Sequence, residues 1–145
     1  MPRRRSKPAI AVKAIQAQMI APCGINCAVC LGHLREKNRC PGCMDPRDEA
    51  KVPHCLRCHF IVCPEPLRHS RFCYDCSRYP CRRLRQLDLR YRTKYRMSPI
   101  ENLEAIRALG IRKFIAREKV RWKCPACGAN LCVHRPACLR CGQTR

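Results

Sequence analysis

Sixteen of the 145 residues are cysteine, and their spacing points to metal chemistry. Cys-x-x-Cys occurs at Cys27/Cys30, Cys40/Cys43, Cys55/Cys58, Cys73/Cys76, Cys124/Cys127 and Cys138/Cys141. Such a turn aims two thiolates at one ion, and two turns complete a tetrahedron of sulfur around zinc. Disulfide scaffolds are not usually spaced this way. Arg3, Arg4 and Arg5 are not followed by the apolar run of a secretion signal. The expected setting is therefore cytoplasmic and reducing, which disfavours structural disulfides.

The strongest local signal is Cys124, Cys127, Cys138 and Cys141, with Gly128 and Gly142 directly after the second cysteine of each pair. This pattern predicts a C-terminal β zinc ribbon. Cys132 and His134 lie between the two pairs, either replacing a ligand or binding nothing. Upstream, the candidate ligands are Cys23, Cys27, Cys30, Cys40, Cys43, Cys55, Cys58, Cys63, Cys73, Cys76 and Cys81. Two four-thiolate sites would leave three of these over, so three to four zinc ions are expected in the chain, with the pairing open. His33, His54, His59 and His69 are spare ligands or phosphate contacts. Cys23, Cys27 and Cys30 also have the C-x3-C-x2-C spacing with which radical S-adenosylmethionine enzymes hold a 4Fe–4S cluster. An iron–sulfur centre there is the rival to a third zinc, because both accept thiolate sets. No paired carboxylates, Ser/His/Asp arrangement or phosphate-cradling glycine loop accompanies them, so a non-catalytic protein is favoured.

Aliphatic residues are thin between positions 23 and 81, so ligation has to replace packing there. A structural zinc site supplies roughly 10–16 kcal/mol. The Cys-rich part is expected to hold mostly loops and knuckles, with one short helix over Cys27 to Lys37. A second short helix can run from Ala9 to Met19. From Arg82 to Arg96 the apolar residues Leu84, Leu87, Tyr91 and Tyr95 recur at helical spacing. Ser98, Pro99 and Glu101 form a capping-box helix start, and Gly110 a stop. Another helix is expected over Ile111 to Trp122. Residues 82–122 would then hold the only conventional hydrophobic core. The expected fold is small and metal-stabilised: a cysteine-rich zinc-knuckle region, short α-helices and a C-terminal β zinc ribbon. Its parts are a basic arm (1–19), a cysteine-rich metal-binding module (20–81), a basic helical segment (82–122) and the ribbon (123–145). No apolar run reaches the roughly 18 residues of a membrane span, and a (β/α)₈ barrel needs about 250 residues.

Lysine and arginine number 31 against 10 acids, a formal charge of +21. A zinc with four thiolates adds a net −2, so three such sites would still leave roughly +15. The excess lies in the arm (Arg3, Arg4, Arg5, Lys7), the 82–96 helix (Arg82, Arg83, Arg85, Arg90, Arg92, Lys94, Arg96) and the helix after Gly110 (Arg112, Lys113, Arg117). Arginine outnumbers lysine, which suits forked contacts to phosphate. The expected partner is nucleic acid, and structured RNA or the ribosome above all, because aromatic residues are few and no two-Cys two-His finger is present. The rival of a different class is a zinc-stapled protein-interaction adaptor for an acidic partner.

The ordered series Cys23-Gly24-Ile25-Asn26-Cys27-Ala28-Val29-Cys30, Cys40-Pro41-Gly42-Cys43, Cys55 to Cys63 and Phe72-Cys73 to Cys81 resembles the domain-of-unknown-function 3795 family. The likeness extends over about residues 20–122. Members are small cysteine-rich proteins, and the resemblance implies metal binding without assigning a reaction.

Overall fold

The computed structural model describes residues 15–45, 51, 58, 60, 63 and 70–145. Four helices follow one another among them: α1 (Leu31–Leu34), α2 (Arg82–Tyr95), α3 (Pro99–Leu109) and α4 (Ile111–Arg121). Single 3₁₀ turns lie at Ala17–Met19, Cys27–Val29 and Cys73–Asp75. Among the described residues there is no β-strand, only isolated antiparallel bridges at Ile20–Asn26, Lys123–Asn130 and Ala137–Thr144. No helix among them is long and apolar enough to cross a membrane.

The apolar stripe of α2 seats it. Leu84 is fully buried, and Leu87, Tyr91 and Tyr95 pack half-buried against the core. The helix stops at Arg96, which turns left-handed at φ +53°. Ser98 then caps α3, its Oγ accepting the Glu101 N–H at 3.0 Å. The expected reciprocal bond from Glu101 is not formed. Asp88, the single acid of α2, supports this helix start from outside α3 with different bonds. It accepts the Ser98 hydroxyl and, at 3.0 Å, the Ile100 N–H, and pairs with Arg92 on the other side. A buried carboxylate thus fixes the α2–α3 corner, at a helix N-terminus where negative charge is favourable. Gly110 ends α3 at φ +83°, a region costly for any other residue, and α4 starts directly after it. The α3 helix packs against both α2 and α4.

The core extends past residues 82–122, contrary to the sequence expectation. Leu103, Ile106, Phe114 and Trp122 share it with Ile15, Ile20, Val29, Leu131 and Val133. The expected helix over Cys27 to Lys37 is broken into the turn Cys27–Val29 and the one-turn α1, because Cys30 is extended (φ −72°, ψ 139°). Of the expected Ala9 to Met19 helix, residues 9–14 lie outside the described part, and Ala17–Met19 make a 3₁₀ turn. The Arg71 guanidinium holds this turn by donating to the Ala17 and Ile20 carbonyls, and it stacks over Phe72 at 4.4 Å.

Gly24 shows how tightly the Cys-rich loop seats on α3. It sits at φ +89°, and a Cβ there would lie 2.3 Å from the Pro99 carbonyl oxygen. Asn102 Nδ2 donates to the Gly24 carbonyl at 2.9 Å. Gly24→Ala is expected to destabilise the fold by at least about 2 kcal/mol. Thermal unfolding checks this, and a melting temperature lowered by less than ~2 °C would contradict it.

Candidate metal centre

Two turns of the same form build the site. In the first, Gly128 (φ +76°) donates its N–H to the Cys124 carbonyl at 2.9 Å; in the second, Gly142 (φ +80°) donates to Cys138 at 2.9 Å. Cys124 N–H bonds the Ala129 carbonyl and Cys138 N–H the Gln143 carbonyl, both at 2.8 Å. The two halves therefore repeat each other in backbone bonding as well as in sequence. Each turn leaves its two thiols on the same side, and the halves face one another.

The four Sγ atoms of Cys124, Cys127, Cys138 and Cys141 all lie within 4.8 Å of one another. The Cys124–Cys141 and Cys127–Cys138 separations are both 3.6 Å. A tetrahedral ion with Zn–S bonds of about 2.3 Å requires edges of about 3.8 Å. The donor set and its spacing thus fit one tetrahedral thiophilic ion. Among the described residues no other set of Cys, His, Asp or Glu brings three ligand atoms this close.

The backbone prepares the first thiolate. N–H groups of Cys127 and Ala126 point at Cys124 and, against its burial, lower its pKa to about 6. At Cys141 the Gln143 N–H works in the same direction, but the neighbouring thiols Cys124, Cys127 and Cys138 push it up to about 12. Cys124 is thus eased toward the thiolate, while Cys141 must lose its proton to the ion. The sign follows: thiolate is the ligand, so affinity rises with pH. We expect protons to be released as the ion binds near pH 7. Chelator competition across pH 6.5–8 measures this, and a pH-independent affinity would refute it.

The site is not a zinc ribbon, which corrects the sequence expectation. A ribbon needs strand ladders, and each half here has a single bridge. The linking segment spends its backbone groups elsewhere. Leu131 N–H bonds the Trp122 carbonyl at 2.6 Å, and Val133 N–H reaches the Val29 carbonyl at 2.9 Å. The segment is tied to the end of α4 and to the Cys27–Val29 turn rather than to a hairpin partner.

Nine of the other candidate ligands fall into two groups. Cys23, Cys27, Cys30, Cys43 and Cys58 line a cavity of about 470 Å³. Within it Cys27 and Cys43 are 3.4 Å apart. Burial pushes the Cys23 thiol well up, and the nearby Cys43, Cys58 and Cys73 add to this, against the Ile25 backbone N–H. Cys63, Cys73, Cys76 and Cys81 line a small cavity of about 20 Å³ walled by Phe60, Tyr79 and Leu84. Burial, followed by the Cys81, Cys63 and Cys76 charges, raises Cys73 to about 12. The Arg78 N–H bonds Cys76 Sγ at 3.4 Å. Gln143 stands in the same relation to Cys141, two residues beyond the second cysteine of its pair. Cys40 is buried and lines neither cavity. Cys132 is fully buried as part of the protein interior. Cys55, His54, His59 and His69 lie outside the described residues.

Several residues that the sequence left unassigned hold the surroundings together. His134 Nδ1 accepts the Leu31 N–H at 3.2 Å, and its Nε2 meets Tyr91 Oη at 3.1 Å. Glu118 is buried with its carboxylate near Asn26 and Trp122. Burial raises its pKa, although Arg121, Trp122 and Asn26 all favour the charge. His134 had no visible signal beyond lying between the cysteine pairs. Glu118 and Asp88 could be suspected only as lone acids on basic helices.

The basic residues expected on α2 and α4 are at the surface. Arg82, Arg83, Arg85, Arg90, Arg92, Lys94 and Arg96 are exposed, as are Arg112, Lys113 and Arg117. Among the described residues only Arg92 of these has a carboxylate within ion-pair distance, that of Asp88. Arg3, Arg4, Arg5 and Lys7 lie outside the described residues.

No protein-family model matches the chain, and no curated protein or solved structure matches it either. The resemblance to the domain-of-unknown-function 3795 family is corrected accordingly: the chain is a cysteine-rich protein with a four-thiol cluster able to hold a metal ion, and it lacks strands among its described residues.

Proposed function

We propose that this chain is a metal-stapled, strongly cationic protein that binds nucleic acid, structured RNA in particular. The observation that carries the reading is the set of exposed arginines and lysines on α2 and α4, the two helices packed against α3, that have no acidic partner among the described residues. Metal ligation frees the surface for this charge, because thiolates hold the loops that an apolar interior would otherwise have to hold. Arginine forks meet phosphate oxygens, and each contact releases counterions. The test is titration of an RNA hairpin at several salt concentrations. Affinity should fall steeply as salt rises, and a salt-insensitive affinity would defeat the proposal. Zinc suits the Cys124 cluster, and the two further thiol groups would bring the total to three ions.

The larger thiol group favours a second reading of its own occupant. Its thiols surround a sizeable cavity and do not converge as the Cys124 set does. An iron–sulfur cluster at Cys23, Cys27 and Cys30 suits such spacing, since a polynuclear centre fills more space than one ion. Iron and zinc analysis of anaerobically purified protein separates the two occupants.

A further inference from the structure

We propose that α2 docks in the major groove of an RNA stem widened by a bulge. Its two cationic flanks reach the two phosphate strands, and its crest covers the base that the bulge leaves unstacked. The inference rests on the reading that the chain binds structured RNA, and adds the surface and the shape of RNA it takes.

Helix periodicity sorts the exposed residues of α2 and its cap into three lines. Arg85, Arg92 and Arg96 recur at i, i+7 and i+11, and so do Arg83, Arg90 and Lys94. The second line is the first displaced by two residues, which at about 3.6 residues per turn places it on nearly the opposite flank. Each line covers roughly 16 Å of the axis. Arg82, Gln86, Leu89 and Thr93 form the crest between them, also at helical spacing and opposite the buried Leu84. The one carboxylate of the helix, Asp88, is buried and pairs with Arg92. Among the described residues no other cation of these lines has a carboxylate within ion-pair distance.

A single cationic line would suit any negatively charged surface. Two lines on opposed flanks suit a groove with a phosphate strand on either side. A helix with its side chains is about 10–12 Å across, and a groove that admits one is about 12 Å wide. The major groove of regular A-form RNA is too narrow, and a bulge opens it. The crest points to the same partner. Leu89 sits in it with 55% of its surface exposed. An apolar side chain gains little from the polar edges of paired bases, but it removes from water the face of a base left unstacked. Gln86 is exposed beside it and can bond a base edge. The Thr93 hydroxyl is spent on the Leu89 and Arg90 carbonyls at 2.7 and 3.2 Å. The crest therefore answers to shape more than to sequence.

The full-length protein, purified with its metal, would be titrated with a bulged RNA hairpin, the same hairpin closed into a perfect stem, and a DNA duplex of the same sequence. The bulged hairpin should bind at least ~10-fold tighter than either. Emptying one flank (Arg85→Gln with Arg96→Gln) or the other (Arg83→Gln with Arg90→Gln) should each weaken it at least ~10-fold and make its salt slope shallower by about two. Leu89→Ala should cut the preference for the bulged over the perfect stem by about 5-fold. All these positions are exposed, so melting temperatures should stay within ~2 °C of the parent. Equal affinity for bulged and perfect stems, tighter binding of the DNA, a silent flank, or an unchanged preference in Leu89→Ala would each overturn the groove docking while leaving the charge on the helix to explain any binding. If the parent binds no RNA at all, the underlying reading falls and the docking with it.

Discussion

Replacing Cys141 with serine is expected to remove one metal ion per chain and to unfold the C-terminal segment. Cys141 is the exposed member of the four-thiol cluster, so the substitution disturbs no packing. Its effect is therefore the effect of losing the ion. A structural site of this kind contributes about 10–16 kcal/mol at neutral pH, against a net stability of roughly 5–15 kcal/mol for a whole domain. The segment has little else to hold it: Ala129, Leu131 and Val133 are its buried aliphatic residues. Loss should also reach the helices. Trp122 is buried beneath this segment, and the Arg145 guanidinium lies over its ring at 5.1 Å. His134 links the segment to both Tyr91 and Leu31. Amide exchange should show residues 123–145 unprotected, with the end of α4 less protected than in the parent. Cys132→Ser is the matched control. It alters a fully buried thiol outside the cluster, so it should cost about 1–3 kcal/mol through a buried hydroxyl and leave the metal content alone. Equal metal content and equal melting in Cys141→Ser and the parent would remove the cluster from the account of stability.

That cluster was legible because its information is local. Two Cys-x-x-Cys-Gly turns specify their own backbone, and only their mutual approach depends on the rest of the chain. The same holds for Ser98, Pro99 and Gly110, whose roles at the ends of α3 follow from capping and from positive φ. The helix of Arg82–Tyr95 was legible through its stripe, since four residues at helical spacing leave one choice of buried face. What could not be read depends on contacts between distant residues. Asp88 reads as a stray acid on a basic helix until Ser98 and Ile100 arrive at its carboxylate. Arg71 reads as surface charge until its guanidinium meets the carbonyls of Ala17 and Ile20. The ribbon failed for a related reason. Spacing fixes where thiols can meet, but strands need a partner ladder, and the Leu131–Val133 backbone is bonded to Trp122 and Val29 instead. The sorting of upstream thiols between two cavities is likewise a tertiary property, because any two Cys-x-x-Cys turns can share an ion.

Neutralising Arg82, Arg83, Arg90 and Lys94 together, each to glutamine, is expected to lower RNA affinity by at least ~100-fold at low salt. All four are exposed on α2 and have no carboxylate within ion-pair distance among the described residues. Glutamine keeps helix propensity close to that of arginine and lysine, so the helix should persist. A side chain that meets one phosphate contributes about one unit to the slope of log affinity against log salt. If most of these four do so, the slope should become shallower by about three. The loss should be nearly uniform across RNA sequences, because phosphate contacts position a protein without reading bases. Arg107→Gln supplies the control. Arg107 is exposed but bonds Glu104 at 2.9 Å and lies over Tyr79 at 5.7 Å, so its charge is already matched. Its removal should leave RNA affinity within ~2-fold of the parent. Two results would count against a nucleic-acid partner. One is a quadruple variant that binds RNA with unchanged affinity and slope. The other is an acidic polypeptide such as poly-glutamate that displaces RNA at equal charge concentration. Such displacement would mean that the arginines answer to negative charge alone, and that phosphate geometry plays no part in what they hold.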